Sequence, residues 1–493
     1  MSYTLTIIYD DRQAPPAEIE GIIGAVRYSD ILRRRTTLGQ EVLKIAEKGG
    51  AFDFFHLVDD RDAIFLSELV EASPYERLFL RLPSCLMPIR QAVLSDFIAQ
   101  AEFAPGTIFL APLMEGEAAS LLTAKDLMPV LRQHGPTTVR DYLLGLSRSA
   151  VVMDNPFGFV DLRQAGDFLS FMSGATETRA FNSNYIERRS LRKSSTDRHK
   201  MAAEYGFFHV VPEALKPFLL ATYDFKDDGE RASYAMERLA IPDAALQLIH
   251  HAFDQSSFAT LLERFIDFID ARPRRDAGVD AVRANARDAI LGKMNRRLKD
   301  FLALSEGRRL NEILLACGPC GGLEEMAVRA GALIEKAIAR DTSAGLVIGH
   351  GDACFSNILF DRRTGLMRLI DPRGARTLDE GWMHPAYDLA KFSHSILGGY
   401  DFVNNDLFDC QLGAGLGLGL ALKDGGPPPD LQEQFTRMLD ERALAGGVDR
   451  SIVRSYELSL FMSMLPLHVD HPRKLAGFAL IAASLICDLE REK

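Results

Sequence analysis

Two aspartates and an asparagine, Asp352, Asn357 and Asp371, stand where apolar runs of this chain end. Asp352 and Asn357 share the loop His350-Gly351-Asp352-Ala353-Cys354-Phe355-Ser356-Asn357, with Val347 and Ile348 before it and Ile358, Leu359 and Phe360 after it. Moving a phosphoryl group requires such a set: a carboxylate to orient an acceptor hydroxyl, and oxygen ligands to hold magnesium against nucleotide phosphates. Asp371 ends a second apolar stretch, 367–370, reached through the turn Asp361-Arg362-Arg363-Thr364-Gly365, so a hairpin is expected to return it beside Asn357. A solvated hairpin whose acids merely satisfy turns is the plain alternative. It does not account for three polar groups placed at strand ends.

The pattern H-G-D-x-x-x-x-N followed by Ile370-Asp371 resembles the catalytic loop and metal-binding aspartate of the aminoglycoside phosphotransferase and choline kinase family, relatives of protein kinases. The resemblance implies a two-lobed, protein-kinase-like α+β domain with a largely helical C-lobe, using ATP and Mg2+. Asp352 would then orient the acceptor and take its proton, Asn357 and Asp371 would hold magnesium, and His350 would brace the loop. Upstream, Lys193 and Glu204 look like the nucleotide-binding lysine on a strand and its partner on the following helix, an ion pair directed at the α- and β-phosphates. Lys193 could instead be one exposed member of a basic cluster with Arg188, Arg189 and Arg192. No glycine-rich phosphate loop precedes it; Asn182-Ser183-Asn184 reads as a turn. Tyr234-Ala235-Met236-Glu237-Arg238-Leu239 resembles the strand and hinge joining the lobes, so backbone groups of Met236, Glu237 and Arg238 are expected to meet adenine; an alternating buried strand would give the same letters. Asp388, in Tyr387-Asp388-Leu389-Ala390-Lys391, matches an aspartate that braces the catalytic loop, or else caps a helix.

Residues 354–359, 370–374 and 387–402 together look like a bacterial subgroup associated with capsule and surface-polysaccharide biosynthesis. That likeness implies a small-molecule kinase acting on a hydroxyl of a sugar or polysaccharide precursor, with His394, Tyr400 and Asp401 as acceptor-side candidates. An ATP-binding scaffold without turnover is the second reading, and retention of all three polar groups argues against it. An enzyme with a second, nucleotide-sugar-handling domain is a third. The absent glycine loop and A-P-E segment disfavour a protein acceptor.

The elements that position these groups must come from more than one domain, since 493 residues exceed what one core normally supports. The expected division is 1–165 as an α/β domain, 175–240 as an N-lobe and 241–493 as a C-lobe. Strand-like runs at 5–9, 54–58, 78–82 and 107–110 alternate with helical stretches at 40–46 and 93–101, which suggests a largely parallel sheet. Part of this domain is faintly similar to the strand-helix-strand core of sugar nucleotidyltransferases, as a degenerate relative, with Arg81-Leu82-Pro83 where such enzymes carry a metal-binding aspartate. Asp60-Arg61-Asp62 could stand for a metal-binding D-x-D, but a helix-entry loop rich in acids is the preferred reading. In the second half 185–191 and 207–211 read as strand-like or short apolar pieces and 198–206 as helix. Residues 243–340 are helical by period, with Leu246, Ile249, Phe253, Phe265, Phe268 and Ile269 on apolar faces. The glycine run 413–419 suits a loop or thin strand, and 423–430 a surface loop.

Hydrophobic content of 47% and charged content of 25% are those of a globular chain, and a formal net charge of −11 argues against nucleic acid as a partner. No basic n-region precedes a long apolar core at the start, so cytoplasmic residence is expected; the apolar stretch 475–487 is too short to cross a bilayer, so no membrane insertion is expected. Six scattered cysteines are expected to be reduced. Cys317-Gly318-Pro319-Cys320 could mark a redox dithiol or half a zinc site, but no second C-x-x-C or C/H pair lies near it and the preceding stretch is helical, so it reads as a loop or helix start. The oligomeric state stays open.

Overall fold

The computed structural model describes residues 4–33, 36–51, 53–72, 77–104, 106–114, 117–132, 136–172, 182–186, 190–413, 417–444 and 447–491. Arg188, Arg189, the first three residues, the stretch 173–181 that holds the expected boundary near 175, and 414–416 of the glycine run lie outside them. The chain divides into two compact units, Met1–Thr178 and Arg179–Lys493.

In the first unit, Thr4–Asp10 pairs parallel with Asp53–Leu57 on one side and with Arg77–Pro83 on the other. The sheet then turns mixed rather than largely parallel: Ser120–Thr123 is antiparallel to both Arg77–Pro83 and Ile108–Phe109, and only Val151–Val152 beyond them is parallel again. The reason is local. Ile108–Phe109 and Ser120–Thr123 are joined without a crossover helix, and Met114 and Glu117 between them exchange backbone hydrogen bonds of 2.8 and 2.9 Å, so the chain doubles back as a hairpin. Ile8, Leu57, Leu66, Phe79, Leu122, Leu127 and Leu131 form the core beneath the sheet. Asp59 accepts from the N–H groups of Arg61 and Asp62, and Asp62 returns a bond to the Asp59 N–H, so Asp60-Arg61-Asp62 is a capped helix entry.

Arg81 is 3% exposed and bridges two carboxylates, Asp10 Oδ2 and Glu117 Oε2, both at 2.8 Å. Burial pushes Asp10 upward, but the guanidiniums of Arg81 and Arg12 outweigh it and hold the carboxyl well below the usual range. Arg81→Met would leave two buried carboxylates short of their counter-charge, and a loss of about 3–5 kcal/mol is expected in denaturant unfolding. The folded pKa of Asp10 is depressed, so its contribution is present above the unfolded carboxylate pKa of about 3.9 and fades as pH falls toward the folded value. The gap between wild type and variant should therefore narrow in acid.

The second unit starts with a four-stranded antiparallel sheet in the order Asn182–Ile186, Ser190–Ser195, Ala232–Glu237, Thr222–Asp227. Asn182-Ser183-Asn184 is strand rather than turn, and the stretch 185–191 divides between two antiparallel strands, with 187–189 outside the described residues. Arg198–Val210 is one helix, opened by Asp197, whose side chain accepts from the Lys200 N–H. Residues 207–210 are its last turn, contrary to the strand reading. Met201, Glu204 and Phe207 recur at intervals of three on its buried face, a helical period that the short apolar run at the end hides.

The remainder is mainly helical. Leu246, Ile249, Phe253, Phe265, Phe268 and Ile269 are all buried, with Asp243 and Asp254 capping the helices Ala244–Ile249 and Gln255–Ala271. Residues 475–487 lie within the helix Pro472–Arg491, and no helix among the described residues is long and apolar enough to cross a membrane. Phe408–Leu412 and Leu418–Leu422, flanking the glycine run, form a hairpin. Pro429 and Asp430 open the helix Pro429–Leu444 instead of closing a loop, because proline loses no hydrogen bond in a first turn. Cys317 ends the helix Ser305–Cys317 and Cys320 is buried with its Sγ 3.1 Å from that of Cys487, so the C-x-x-C cysteines do not face each other as a dithiol.

Candidate active site

Asp352 follows the strand Gly345–Ile348 across a loop that only glycines allow. A Cβ at Gly349 would lie 2.6 Å from Asp388 Oδ2, and Gly351 adopts φ 78° with a Cβ position 2.7 Å from Arg373 Cβ. Asp388, at the start of the helix Tyr387–Ile396, accepts from the backbone N–H groups of His350 at 3.1 Å and Gly351 at 2.7 Å. Arg272 donates to the same carboxylate at 3.1 Å. Asp388 therefore braces the loop. Arg272 is a partner that sequence reasoning missed, because nothing in the letters links positions so far apart. His350 is fully buried, its Nδ1 accepts from the Asp352 N–H at 3.3 Å, and burial pushes its pKa down, so a neutral ring packs under the loop.

The hairpin Ile358–Asp361 with Leu366–Leu369 carries the other two groups. Its open end continues through a bond from the Ile370 N–H to the Asn357 carbonyl at 3.0 Å, which sets Asn357 beside Asp371 as the turn between the strands implies. Asn357 Nδ2 donates to Asp352 O at 2.9 Å and to Asp352 Oδ2 at 3.1 Å. Its amide oxygen remains as an acceptor. Asp371 adopts φ 55°, a left-handed conformation that costs a non-glycine residue about 1 kcal/mol or more and is held here by its neighbours.

Lys193, on Ser190–Ser195 and opposite Tyr234 in the sheet, is 8% exposed. Its Nζ lies 2.7 Å from Glu204 Oε2 and 3.0 Å from Asp371 Oδ1, a residue 178 positions away. Tyr234 OH donates to the same Glu204 oxygen at 3.0 Å. Burial alone would lower the lysine pKa; Asp371 and Glu204 reverse that and raise it, so the amine stays charged.

The structure thus gathers Lys193, Glu204 and Asp371 into one cluster and Asp352 with Asn357 into an adjoining one. Met236 is buried with Tyr234, Met201 and Leu220, while Leu191, Leu239, Leu359 and Ile370 pack against them, half-buried. Glu237 is exposed, and its N–H is already bound to Ala221 O at 3.3 Å. Of the expected hinge, then, Met236 and Glu237 end a paired strand and Arg238 begins the link. His394 and Asp401 are fully buried rather than facing an acceptor, with His394 stacked on Tyr400 at 4.2 Å between ring centres.

Lys391, one turn after Tyr387, places Nζ 2.8 Å from Asp352 Oδ1. Sequence reasoning placed it only within a helix start; its spacing of three from Asp388 was the available signal. Burial pushes the Asp352 carboxyl up, but Lys391 outweighs burial and holds it below its ordinary value. Lys391→Met removes that charge, so the Asp352 pKa is expected to rise toward and past its ordinary value. A carboxyl-carbon NMR titration of wild type and variant measures the shift. An unshifted Asp352 titration would rule this coupling out.

The donor set fits magnesium. That ion takes one or two carboxylate or amide oxygens and completes its shell with phosphates and water, and Asp371 and the Asn357 amide oxygen supply two. Among the described residues no group of three or more His, Cys, Asp or Glu forms an all-protein cage.

No family model matches the chain, and no curated protein matches it in sequence. Among solved structures it is similar to a thermostable mutant of aminoglycoside phosphotransferase APH(4)-Ia in ternary complex with AMP-PNP and hygromycin B, at 13% identity over 66% of this chain and 99% of that one, TM-score 0.39. A glucosamine kinase matches at 13% identity over 64% of this chain and 79% of its own, TM-score 0.36. Aminoglycoside phosphotransferase APH(3'')-Id from Streptomyces rimosus, with ADP and streptomycin, matches at 16% identity over 61% and 97%, TM-score 0.33.

Proposed function

We propose that the second unit is a protein-kinase-like phosphotransferase that moves the γ-phosphoryl group of ATP to a hydroxyl of a small, sugar-like molecule. The observation that carries this reading is the contact of Lys193 with both Glu204 and Asp371, a cation brought from the sheet to the end of the distant hairpin. Such a pair gives nucleotide phosphates a fixed positive partner beside oxygens able to hold magnesium. Asp352 accepts the acceptor's proton as its oxygen bonds to phosphorus and the bond to the departing ADP breaks. Asn357 and Asp371 would hold magnesium, which neutralises phosphate charge when bound. Leu191, Leu239, Leu359 and Ile370 offer apolar surface to the base, with Arg238 at the link.

The finer reading is a sugar or polysaccharide precursor as acceptor, in cytoplasmic assembly of capsule or surface polysaccharide, and it rests on the motif likeness at 354–359, 370–374 and 387–402. In this reading residues up to about 165 form a separate module, followed by an N-lobe to about 240 and a C-lobe beyond. Arg81, neutralised by Asp10 and Glu117 where a metal-binding acid would stand, favours a module without nucleotidyl transfer.

The test is transfer of labelled γ-phosphate from Mg·ATP by the purified full chain to a panel of sugars, sugar phosphates and nucleotide sugars. Transfer that Asp352→Ala abolishes supports the assignment. A wild-type chain that transfers nothing and hydrolyses ATP no faster than Asp352→Ala ends it.

A further inference from the structure

Resting on the phosphotransferase reading of this site, we infer that the acceptor carries an anionic group, a phosphate or a carboxylate, received by Lys293 and Arg373 beside Asp352. Lys293 opens the helix Lys293–Leu302 directly after a π-helical turn, Arg287–Gly292, an irregularity frequent at functional sites. Its Nζ is 3.5 Å from Tyr387 OH. Tyr387 and Lys391 are one turn apart on their helix, and Lys391 is the residue bound to Asp352. Arg373 comes from the segment that follows Asp371. Its N–H donates to His350 O at 2.9 Å, and its side chain packs over Gly351, immediately before Asp352, while remaining exposed.

These cations have no counter-charge of their own. Lys391 is matched by Asp352, but neither Lys293, Arg297 nor Arg373 forms an ion pair with a carboxylate among the described residues. Arg297, one turn beyond Lys293, donates only to a backbone carbonyl, Ser463 O, at 3.1 Å. Burial pushes the half-buried Lys293 ammonium down; Tyr387 opposes that push, and the charges of Arg373, Arg297 and Lys391 add to it. On a chain of net charge −11, a half-buried lysine among like charges is poorly placed unless something negative joins it. A neutral sugar would leave the cluster uncompensated, and a cationic aminosugar would be repelled by it.

The experiment measures kcat and KM of the full chain with Mg·ATP against glucose, glucosamine, glucose 6-phosphate and glucuronate, and repeats it with Lys293→Met and Arg373→Gln. The expected result is a kcat/KM for an anionic member at least about tenfold above that for glucose, falling with added salt. The phosphate and uronate arms separate the two anion types. Lys293→Met should raise the acceptor KM roughly 10- to 100-fold, the value of one charge-assisted hydrogen bond, with the KM for ATP moving by less than about twofold. Preference for a neutral or cationic sugar overturns the inference while phosphoryl transfer stands, and so does a variant whose ATP KM rises with acceptor KM unmoved. Absence of transfer to every acceptor, with no heat of Mg·ADP binding in calorimetry, brings down both.

Discussion

Asp352→Asn is expected to lower phosphoryl transfer by about 10²- to 10⁴-fold, the usual worth of a positioned general base, with little change in the KM for ATP. The substitution keeps size and shape, so the bracing of the loop by Asp388, which grips the backbone of His350 and Gly351, is untouched. What goes is the charge. Lys391 at 2.8 Å and Asn357 Nδ2 at 3.1 Å both donate to the carboxylate, so each of its oxygens is directed by one partner and retains a lone pair for the acceptor hydroxyl. An amide in that place can offer only one acceptor oxygen and turns an NH2 group toward one of two donors. Steady-state kinetics, with a melting curve to show an unaltered fold, measures the effect. A variant that retains more than about a tenth of the wild-type rate would show that the proton leaves by another route.

The geometry of the loop around Asp352 and Asn357 was legible in the letters because its contacts are local. Asp352 and Asn357 share the loop that leads into the hairpin turned at 361–365, and turn residues and apolar flanks state that geometry directly. Lys193 and Glu204 were legible for a similar reason, since a strand and the helix after it place them a short way apart. Long-range partners were not. Arg272 on Asp388 and the pairing of Arg81 with Glu117 depend on tertiary packing that no single-sequence period encodes. The errors of element type share a cause too. Residues 207–210 read as strand because two phenylalanines and a valine are favoured in strands, whereas the helix is dictated from its start by Asp197 and by the buried spacing of Met201, Glu204 and Phe207. The mixed sheet of the first unit went unread because strands of two to four residues give too few alternations to show direction.

Lys193→Met should lower transfer by about 10²- to 10³-fold, the range for removing one preorganised charge from a phosphoryl or oxyanion site, and should also destabilise the second unit. The two effects have separate causes and can be pulled apart. Glu204 is 2% exposed, and without the lysine it keeps only the Tyr234 hydroxyl at 3.0 Å and Lys200 at 3.6 Å. A buried carboxylate short of its counter-charge costs about 3 kcal/mol or more. Asp371, held at φ 55° next to the same ammonium, would lose its anchor as well. The double variant Lys193→Met/Glu204→Met removes the stranded charge along with its partner, so most of the lost stability should return, because replacing a whole buried pair with apolar groups is close to neutral. Transfer should not return. Phosphate neutralisation needs the ammonium, and methionine supplies none. Denaturant unfolding and transfer kinetics on the wild type, the single variant and the double variant make the comparison. If the double variant regained both stability and rate, the Lys193–Glu204 pair would be serving the fold alone, and nucleotide phosphates would have to find their positive partner elsewhere.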